Sequence, residues 1–346
     1  MRNTLFTICL AWLVALLASA QAPSDGKSYY LPKTEIQFKF LVEKSTYEPG
    51  QLCMYADRYM KKSDVAQKSS VTYRILDTKM TSVGIPDTAK HYTLSMDRKY
   101  SVGELHLSDN GILLAINDQP KAIPQEKPFL SAPKQPRLNP QDYMNEDILT
   151  AGSTAKMAEL TAQEIYDIRE SRNMLQRGQA DFMPKDGEQM RIMMQGLDTQ
   201  ERALRQAFEG VTDKDTTEVV ISYVPTKEVE REMLFRFSTK LGFVDIDDLG
   251  GAPYYISIVE EQKTWETSEP NKKDRDDIGL HVNMPAKIKV TLYQQEKAIN
   301  SYTLYMGQFG QTESLSGALF GRKQTTKLIL NPITGSLESI KEVNFQ

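Results

Sequence analysis

Alternation of apolar and polar residues is the feature that most limits how this chain can fold. Residues 34–44 read TEIQFKFLVEK, in which every second residue from position 36 to position 42 is apolar. This pattern predicts a β-strand that buries one face and turns the other towards solvent. The predicted buried positions are Ile36, Phe38, Phe40 and Val42. A strand of this kind needs a second layer to cover its apolar face, so the sequence favours layered antiparallel sheets.

The segments that flank this strand have the pattern of a small antiparallel α+β unit. Apolar residues at helical spacing predict a short helix over 50–61, and strands are predicted at 71–83 and 91–96. Asn110-Gly111 stands between two apolar stretches and predicts a β-hairpin over 104–117, because Asn-Gly suits a two-residue hairpin turn.

Two helices are predicted after a proline-rich stretch. Prolines recur throughout residues 118–141 and exclude a continuous helix or a central strand there. Thr161 and Glu164 form a capping box that predicts the start of the first helix. One face of this helix carries Ile165, Ile168, Arg172 and Leu175. The stripe of the second helix, which ends at Gly210, is Met190, Met193, Met194, Leu197, Leu204 and Phe208. The short break between the helices predicts an antiparallel hairpin.

The last third of the chain is strand-rich. Strand composition is found in Val219–Tyr223, Leu234–Phe237, Tyr254–Ile258, Ile288–Leu292, Ser301–Met306, Lys327–Leu330 and Leu337–Ile340. A turn over 331–335 joins the last two segments. The segments that begin near residues 34 and 216 share Thr-Glu, an alternating strand and a proline. This similarity has two possible explanations, which are a duplicated β unit and a chance likeness between two edge strands.

We therefore predict an α+β fold with two antiparallel β-rich units and a helical hairpin between them. The predicted organisation is a signal peptide (1–20), an N-terminal α+β domain (21–117), a proline-rich linker or surface loop (118–150), a helical hairpin (151–210) and a C-terminal β-rich domain (211–346).

The first twenty residues predict a secretory signal peptide. Arg2 gives a positive start, residues 5–17 are almost unbroken apolar, and residues 18–20 (ASA) match the small-x-small pattern of a cleavage site. The apolar run is shorter than the roughly 20 residues that cross a membrane, and an uncleaved anchor is the alternative. We expect cleavage near Ala20-Gln21 and a soluble product with no transmembrane segment. Its expected location is the periplasm, the outer membrane or the cell exterior.

The cysteine content and the net charge further limit the class of protein to which this chain can belong. After cleavage Cys53 would be the one cysteine, which excludes an internal disulfide. Its apolar surroundings favour core packing over a role as nucleophile. Cys9 follows Ile8 inside the apolar run instead of ending it, so a lipid anchor is disfavoured. The formal net charge of -4 argues against nucleic-acid binding, which would call for a basic stripe.

No short motif for catalysis, metal binding or nucleotide binding is present in the sequence. His91, His106 and His281 lack the spacing of a metal site, and one mature cysteine leaves too few ligands for a usual zinc centre. The stretch 314–317 (SLSG) has no matched base. We predict no catalytic, cofactor-binding or metal-binding residue and no cofactor.

Two further features each have two interpretations. The loop 245–251 (DIDDLGG) could offer three carboxylates to calcium, but it lacks the spacing of an EF-hand, and a solvated loop is favoured. The methionines of the second helix suit an adaptable binding surface. Their helical spacing equally suits packing on a neighbouring helix, which we favour.

The C-terminal half resembles an uncharacterised family of exported proteins from Bacteroides-like bacteria, a domain of unknown function. The stretches that carry the resemblance are 221–225 (ISYVP), 234–238 (LFRFS), 241–242 (LG), 248–256 (DLGGAPYYI), 284–290 (MPAKIKV), 308–310 (QFG) and 331–337 (NPITGSL). They cover most of residues 216–340 in order. The resemblance implies an exported envelope protein and transfers no catalytic residue.

Two functions remain open from the sequence. The first is a non-enzymatic binding or structural module of the cell envelope, whose sheet edges or helical hairpin contact a protein or a glycan. The second is a hydrolase of surface polysaccharide or peptidoglycan that draws a carboxylate pair from separate loops. Two carboxylates facing each other across a deep cleft would favour the hydrolase.

Overall fold

The computed structural model describes residues 26–95, 100–122, 127–134, 136–261, 277–321 and 324–344. The strands are β1 (Gly26–Glu48), β2 (Ser70–Ser95), β3 (Leu105–Leu107), β4 (Leu113–Ile116), β5 (Val211–Tyr223), β6 (Val229–Ser238), β7 (Gly242–Val244), β8 (Ala252–Glu260), β9 (Asp277–Gln294), β10 (Lys297–Ser316), β11 (Gln324–Leu330) and β12 (Leu337–Asn344). The helices are α1 (Ala56–Met60), α2 (Glu146–Leu149), α3 (Thr154–Arg177) and α4 (Gly187–Glu209), with 3-10 turns at Cys53–Tyr55, Pro140–Tyr143 and Gly317–Phe320. The predicted signal peptide, with Cys9, lies outside the described residues.

The fold class is mixed and strand-rich. Of the described residues, 49% are in strands and 23% in helices, so the α+β prediction is confirmed. The strands form three sheets with the orders β2-β1-β5, β10-β9-β8-β6-β7 and β12-β11-β4-β3. Neighbouring strands in each sheet are antiparallel, as predicted.

A sandwich core lies between the three-stranded and the five-stranded sheet. The predicted apolar face of β1 is its centre, because Ile36, Phe38 and Phe40 are fully buried and Val42 is nearly so. Burial of one such side chain contributes about 1.5–3 kcal/mol. The other buried members are Leu234, Phe235, Phe237, Tyr254, Ile256, Ile258, Ala286, Ile288, Val290, Leu292 and Met306.

A second core, the end core, lies where the long strands continue past the sandwich. β1 has 23 residues, which extend over about 75 Å, so it serves both cores. At its N-terminal end Tyr29 and Leu31 pack, with Leu94 of β2, against the four-stranded sheet. The remaining buried members are Leu113, Ile116, Ile278, Leu280, Val282, Phe320, Leu328 and Leu330.

The sheets join segments from opposite ends of the sequence. β1 pairs with β5, in a register that sets Ile36 opposite Tyr223 and Phe40 opposite Val219. β4 pairs with β11, which sets Ile116 opposite Leu328. The two segments that echo each other in sequence are therefore neighbours in one sheet. Strands of the predicted domains 21–117 and 211–346 share sheets, and the boundaries of those domains stay predictions.

Local turn predictions agree with the structure, with two corrections. Gly111 has φ 78° in the predicted hairpin, and Gly335 has φ 73° in the closing turn. The predicted strands 71–83 and 91–96 are one continuous strand, β2. The first long helix begins before Thr161, because Ser153 caps its N-terminus by accepting a hydrogen bond from the Lys156 amide.

Thr161 therefore lies inside α3 and forms no capping box. Its hydroxyl donates to the Met157 carbonyl oxygen one turn earlier at 2.8 Å, and the residue is fully buried. A hydroxyl that bonds within the helix does not need the N-terminal position that its sequence pattern suggested.

The proline-rich segment lies on the surface, held by ion pairs. Its described residues between 118 and 139 form no helix or strand. Lys121 Nζ lies 2.6 Å from Glu338 Oε2 on β12, and Arg137 Nη1 lies 2.8 Å from Glu48 Oε2 on β1. These contacts tie the segment to two different sheets.

Candidate functional site

The two long helices, α3 and α4, run antiparallel. Arg169 Nε lies 2.7 Å from Glu201 Oε1, and Arg172 Nη1 lies 2.7 Å from Asp198 Oδ1. A later residue of α3 thus meets an earlier residue of α4, which fixes the antiparallel direction. At 1.5 Å per residue each helix is about 35 Å long.

The base of this helical pair is held by a third core, the helical core. Ile165 and Ile168 of α3 face Leu204 and Phe208 of α4, and all four are buried. The remaining buried members are Leu52, Ala56, Met60, Met144, Ile148, Ala158, Ala162 and Ala207. This core includes the predicted short helix, and it anchors the pair at the end nearest the sheets.

An ionic layer closes the helical core. Glu201 is only 5% exposed, and its two oxygens lie 2.7 Å from Arg169 Nε and 2.8 Å from Arg172 Nη1. A buried carboxylate is tolerated only when its charge is paired, and both oxygens are paired here. The hydrogen bond from Arg172 to Asp198 raises the pKa of the Arg172 guanidinium above its usual value. The layer borders the helical core, and Leu197 on its far side still packs against that core.

The turn that joins the helices is fixed by local caps. Gly178 ends α3 in the left-handed conformation with φ 68°, and the amide of Gln179 donates to the Met174 carbonyl oxygen. Asp186 begins α4 by accepting a hydrogen bond from the Gln189 amide at 2.8 Å. The far end of the pair is therefore a defined structure.

Beyond the ionic layer the helical pair carries an apolar groove, the tip groove, with a volume of about 600 Å³. Its lining residues are Tyr143, Ser171, Met174, Leu175, Ala180, Asp181, Phe182, Met193, Gly196, Leu197 and Gln200. Phe182 is 68% exposed, and Ile192, the sequence neighbour of Met193 in the lining, is 56% exposed. A cluster of large apolar side chains that are exposed to solvent marks an interaction surface.

Gly196 forms part of the lining in the middle of α4. A glycine inside a helix costs about 1 kcal/mol relative to alanine. A Cβ atom on Gly196 would meet nothing within 4 Å, so no contact inside the molecule requires glycine here. The position that a side chain would take here is open space beside the groove lining.

The methionine stripe of α4 divides between two environments. Leu204 and Phe208, at the C-terminal end of the helix stripe, are buried in the helical core, but Met190, Met193 and Met194 are not among the buried residues of that core. Met193 is 36% exposed and lines the tip groove, whereas Met190 and Met194 are half-buried. The amphipathic pattern located both sets of residues, but it does not tell which of them are buried in the folded protein.

Other clefts in the described part of the chain have a different character. The sheet cleft lies on the three-stranded sheet and has a volume of about 600 Å³. Two further clefts lie beside Glu48 and beside Glu218. The acidic residues that line these four clefts are Asp181, Asp109, Glu48 and Glu218, one in each.

The family described as a domain of unknown function, DUF4831, matches residues 25–338. The chain belongs to this family. No curated protein and no solved structure matches the chain. The DUF4831 match contains α3, α4 and every residue of the tip groove, so the groove is part of the domain.

The histidines of this DUF4831 domain lie on β2, β3 and β9. His91 stacks on Tyr30 with ring centroids 4.5 Å apart, and His281 stacks on Tyr92 at 4.0 Å. His106 Nε2 lies 3.3 Å from Glu104 Oε2. His91 and Tyr30 are paired across β1 and β2, whereas His281 and Tyr92 belong to strands of different sheets.

The remaining residues that the sequence singled out lie apart from one another. Cys53 is a free thiol of intermediate burial at the start of the short helical turn. The loop 245–250 is exposed, and Asp248 Oδ1 accepts a hydrogen bond from the Gly250 amide at 2.8 Å. Within the described ranges, no three His, Cys, Asp or Glu side chains are grouped as a metal site would require. None of the helices described is both long and apolar enough to cross a membrane.

Proposed function

We propose that this protein is an exported, non-enzymatic binding module of the cell envelope whose tip groove takes an apolar segment of another protein. The observation that carries the proposal is the tip groove itself, an exposed apolar surface with an open place at Gly196. Apolar and aromatic anchors that enter such grooves supply most of the binding free energy in protein interfaces.

The charges around the groove favour a protein over a membrane or a nucleic acid. Residues 170–198 contain five Asp or Glu and four Lys or Arg. Anionic lipid surfaces and nucleic acids attract strongly basic surfaces, and this end of the helical pair is nearly neutral. A mixed-charge rim around an apolar centre is the usual composition of a protein interface.

The helical segment supplies the binding arm in this proposal. It lies in the chain between the predicted units 21–117 and 211–346, and α1 and α2 hold its base in the helical core. The sheets act as the scaffold, and the domain boundaries and the export route belong to the same proposal. Export rests on the predicted leader, with cleavage near Ala20-Gln21 and a destination in the periplasm or at the outer membrane.

The hydrolase alternative needs two carboxylates facing each other across a cleft. Each of the four clefts described above is lined by a single acidic residue. None of these four linings therefore supplies the pair of carboxylates that a hydrolase needs, and the binding module is the function that we put forward.

Site-specific photo-cross-linking in the native cell envelope tests the proposal. A photoreactive phenylalanine analogue replaces Phe182 in the groove, and in a second protein it replaces Leu249, which is 84% exposed on a distant loop. We expect one discrete adduct from position 182 and none of that mass from position 249. Gly196→Trp, which fills the open place, should abolish the adduct.

Three outcomes would contradict the proposal. The first is equal adduct formation from both positions, and the second is an adduct that Gly196→Trp leaves unchanged. The third is hydrolysis of any glycan in a test panel by the purified protein, which would make the hydrolase the favoured function. A cross-link between two copies of the chain would identify self-association as the function of the groove.

A further inference from the structure

Strand β5 forms a free edge of the three-stranded sheet. In the order β2-β1-β5 it pairs with β1 on one side alone. Alternate residues of an edge strand direct their amide and carbonyl groups away from the sheet, where another chain can pair with them. Among the described residues, no backbone hydrogen bond joins these outer groups of β5 to a further segment. The edge therefore has the hydrogen-bonding groups that one more strand needs.

A proline-rich strap, residues 127–134 and 136–139, lies along β5. The two segments share one cleft, whose lining residues are Pro128, Phe129, Ser131, Thr216, Thr217 and Glu218. Further along the strap, Lys134 Nζ lies 3.2 Å from Asp215 Oδ2. Later residues of the strap thus meet earlier residues of β5, so the two segments run antiparallel.

Ion pairs between exposed side chains hold the strap in this place. Besides the pair of Lys134 and Asp215, Arg137 Nε lies 2.9 Å from Asp213 Oδ2 on β5, and Arg137 Nη1 lies 2.8 Å from Glu48 Oε2 on β1. The five side chains of these pairs are 43–66% exposed. Because water and salt screen such contacts, they stabilise the strap only weakly. The strap can therefore be displaced from β5.

The strap does not pair with β5 as a strand. Pro128, Pro133 and Pro136 have no amide hydrogen to donate to a ladder. Lys134 and Arg137 are three residues apart, whereas the two aspartates that they meet are only two apart. A paired strand would keep equal spacing on both sides. The strap therefore matches the charges of β5 but not its backbone groups.

The side chains of β5 indicate which chemistry suits its free edge. Asp213 and Asp215 each take a cation from the strap. Glu218 is exposed, and no ion pair of this residue is found among the described residues. Lys214 is paired with Glu43 of β1 at 3.5 Å, so the charges left for a partner are negative. A second copy of β5 would bring the same excess of acidic residues to the edge and would be repelled.

We infer that β5 binds an extended basic segment of a partner protein, which displaces the strap and adds a fourth strand to the sheet. Strand addition gives affinity through main-chain hydrogen bonds and specificity through alternate side chains. In an antiparallel register, basic residues of the partner stand opposite Glu218, Asp215 and Asp213. Apolar residues stand opposite Val219 and Ile221, which pack against the sandwich core. The strap and β5 contribute no residue to the tip groove, so this edge is a second interaction surface.

A capped nine-residue peptide with the sequence VTVKTTKTR is the probe for this surface. Paired antiparallel with its first residue opposite Ile221, it places its two lysines and its arginine opposite Glu218, Asp215 and Asp213. We expect binding to shift the amide resonances of residues 213–221 in a titration followed by NMR. A control peptide with glutamate in place of the three basic residues should bind at least tenfold more weakly, because its charges repel those of β5.

Two methylated probes separate strand addition from simple charge attraction. N-methyl groups on the odd-numbered amides block one edge of the peptide strand, and N-methyl groups on the even-numbered amides block the other edge. Both probes keep all three basic side chains. Because only one edge of the peptide can face β5, one methylated probe should lose affinity at least tenfold and the other should keep it.

Variants of the strap and of β5 locate the interaction. A protein with Lys134→Ala and Arg137→Ala should bind the probe about fivefold more tightly, because the strap no longer competes for the edge. Lys156→Ala combined with Arg191→Ala removes two cations of exposed ion pairs elsewhere and should leave the affinity unchanged. Glu218→Gln should weaken binding about threefold, and it leaves the ion pairs of the strap in place.

Equal affinity of the two methylated probes would overturn the inference, as would equal affinity of the basic and acidic peptides or an unchanged affinity in the strap variant. A dimer of the strap variant without any probe would assign the edge to a second copy and would overturn it as well. The cross-link from position 182 should persist in the strap variant, because Lys134 and Arg137 do not line the tip groove. A failure at β5 is therefore distinguishable from a failure of the proposed function.

Discussion

Arg169 of α3 and Glu201 of α4 meet at 2.7 Å across the helical pair, and Glu201 is almost fully buried there. This contact marks the boundary between the helical core and the tip groove. On the base side the helices are joined by apolar packing. On the far side Leu175 is still buried, whereas Met174 is 40% exposed and Met193 is 36% exposed, so the exposed part of the tip groove begins beyond this contact.

Replacing Glu201 should destabilise the protein by leaving two partly buried arginines without their carboxylate. We expect Glu201→Ala to lower the free energy of unfolding by about 1–3 kcal/mol. Glu188→Ala removes the partner of Arg191 in an ion pair whose side chains are both more than half exposed, and it should cost less than about 0.5 kcal/mol. Chemical denaturation of both variants measures the difference. Equal effects would show that the layer contributes no more than a surface pair.

We expect Gly196 to lower the stability of the protein and to keep the tip groove open. Gly196→Ala should raise the free energy of unfolding by about 0.5–1 kcal/mol, because alanine favours the helix and its Cβ meets no neighbour. Gly196→Trp should fold and lose partner binding, whereas Gln195→Trp on the adjacent exposed position should keep it. Thermal melts and the cross-linking assay measure the two properties. A destabilised Gly196→Ala protein would mean that the helix needs glycine there.

Gly84 should not tolerate a side chain. Its Cβ position coincides with the Pro332 carbonyl, which belongs to backbone and cannot move aside cheaply. We expect Gly84→Ala to destabilise the protein by about 1–3 kcal/mol. Gly152→Ala is the control, since a Cβ there meets nothing within 4 Å and should change stability little. A stable Gly84→Ala protein would indicate that the 331–335 turn moves off β2.

Thr81 carries a buried hydroxyl that has no hydrogen-bond partner among the described residues. Thr81→Val should therefore leave stability unchanged or raise it by about 1 kcal/mol, because valine keeps the shape and removes the unpaired group. Thr326→Val is the opposite case, since the Thr326 hydroxyl donates to the Leu319 carbonyl oxygen inside the end core. That variant should lose about 1–2 kcal/mol. Urea titrations compare the two, and a destabilised Thr81→Val would reveal a partner for the hydroxyl.

The contact between Lys121 and Glu338 should make stability depend on pH in the acid range. The hydrogen bond from Lys121 lowers the pKa of Glu338 below its ordinary value of 4.5. A lowered pKa in the folded state contributes stability above pH 4.5 that is lost as the pH falls below that value. Glu338→Gln should flatten this part of the stability profile between pH 5 and pH 3. Thermal melts across that range test the prediction, and an unchanged profile would contradict it.

Local sequence patterns predicted most of the helices, strands and turns, because these elements depend on interactions between residues that are close together in the sequence. The period-two pattern of residues 34–44 identified the buried face of β1, and Asn110-Gly111 identified a hairpin turn, since both depend on a few adjacent residues. The start of α3 was predicted wrongly at Thr161. The same residue pattern is compatible with a capping box and with a threonine that hydrogen-bonds inside a helix. Thr161 is fully buried in the structure, which identifies the second case.

The sequence by itself determined the strand-rich antiparallel character, the turns and the amphipathic helices. Only the tertiary structure decided that β1 pairs with β5 and β4 with β11, because those partners are separated by well over a hundred residues and many registers satisfy the same alternation. It also decided which half of the α4 stripe stays exposed. Amphipathicity identifies an apolar face, but whether that face is covered depends on where neighbouring elements end in space.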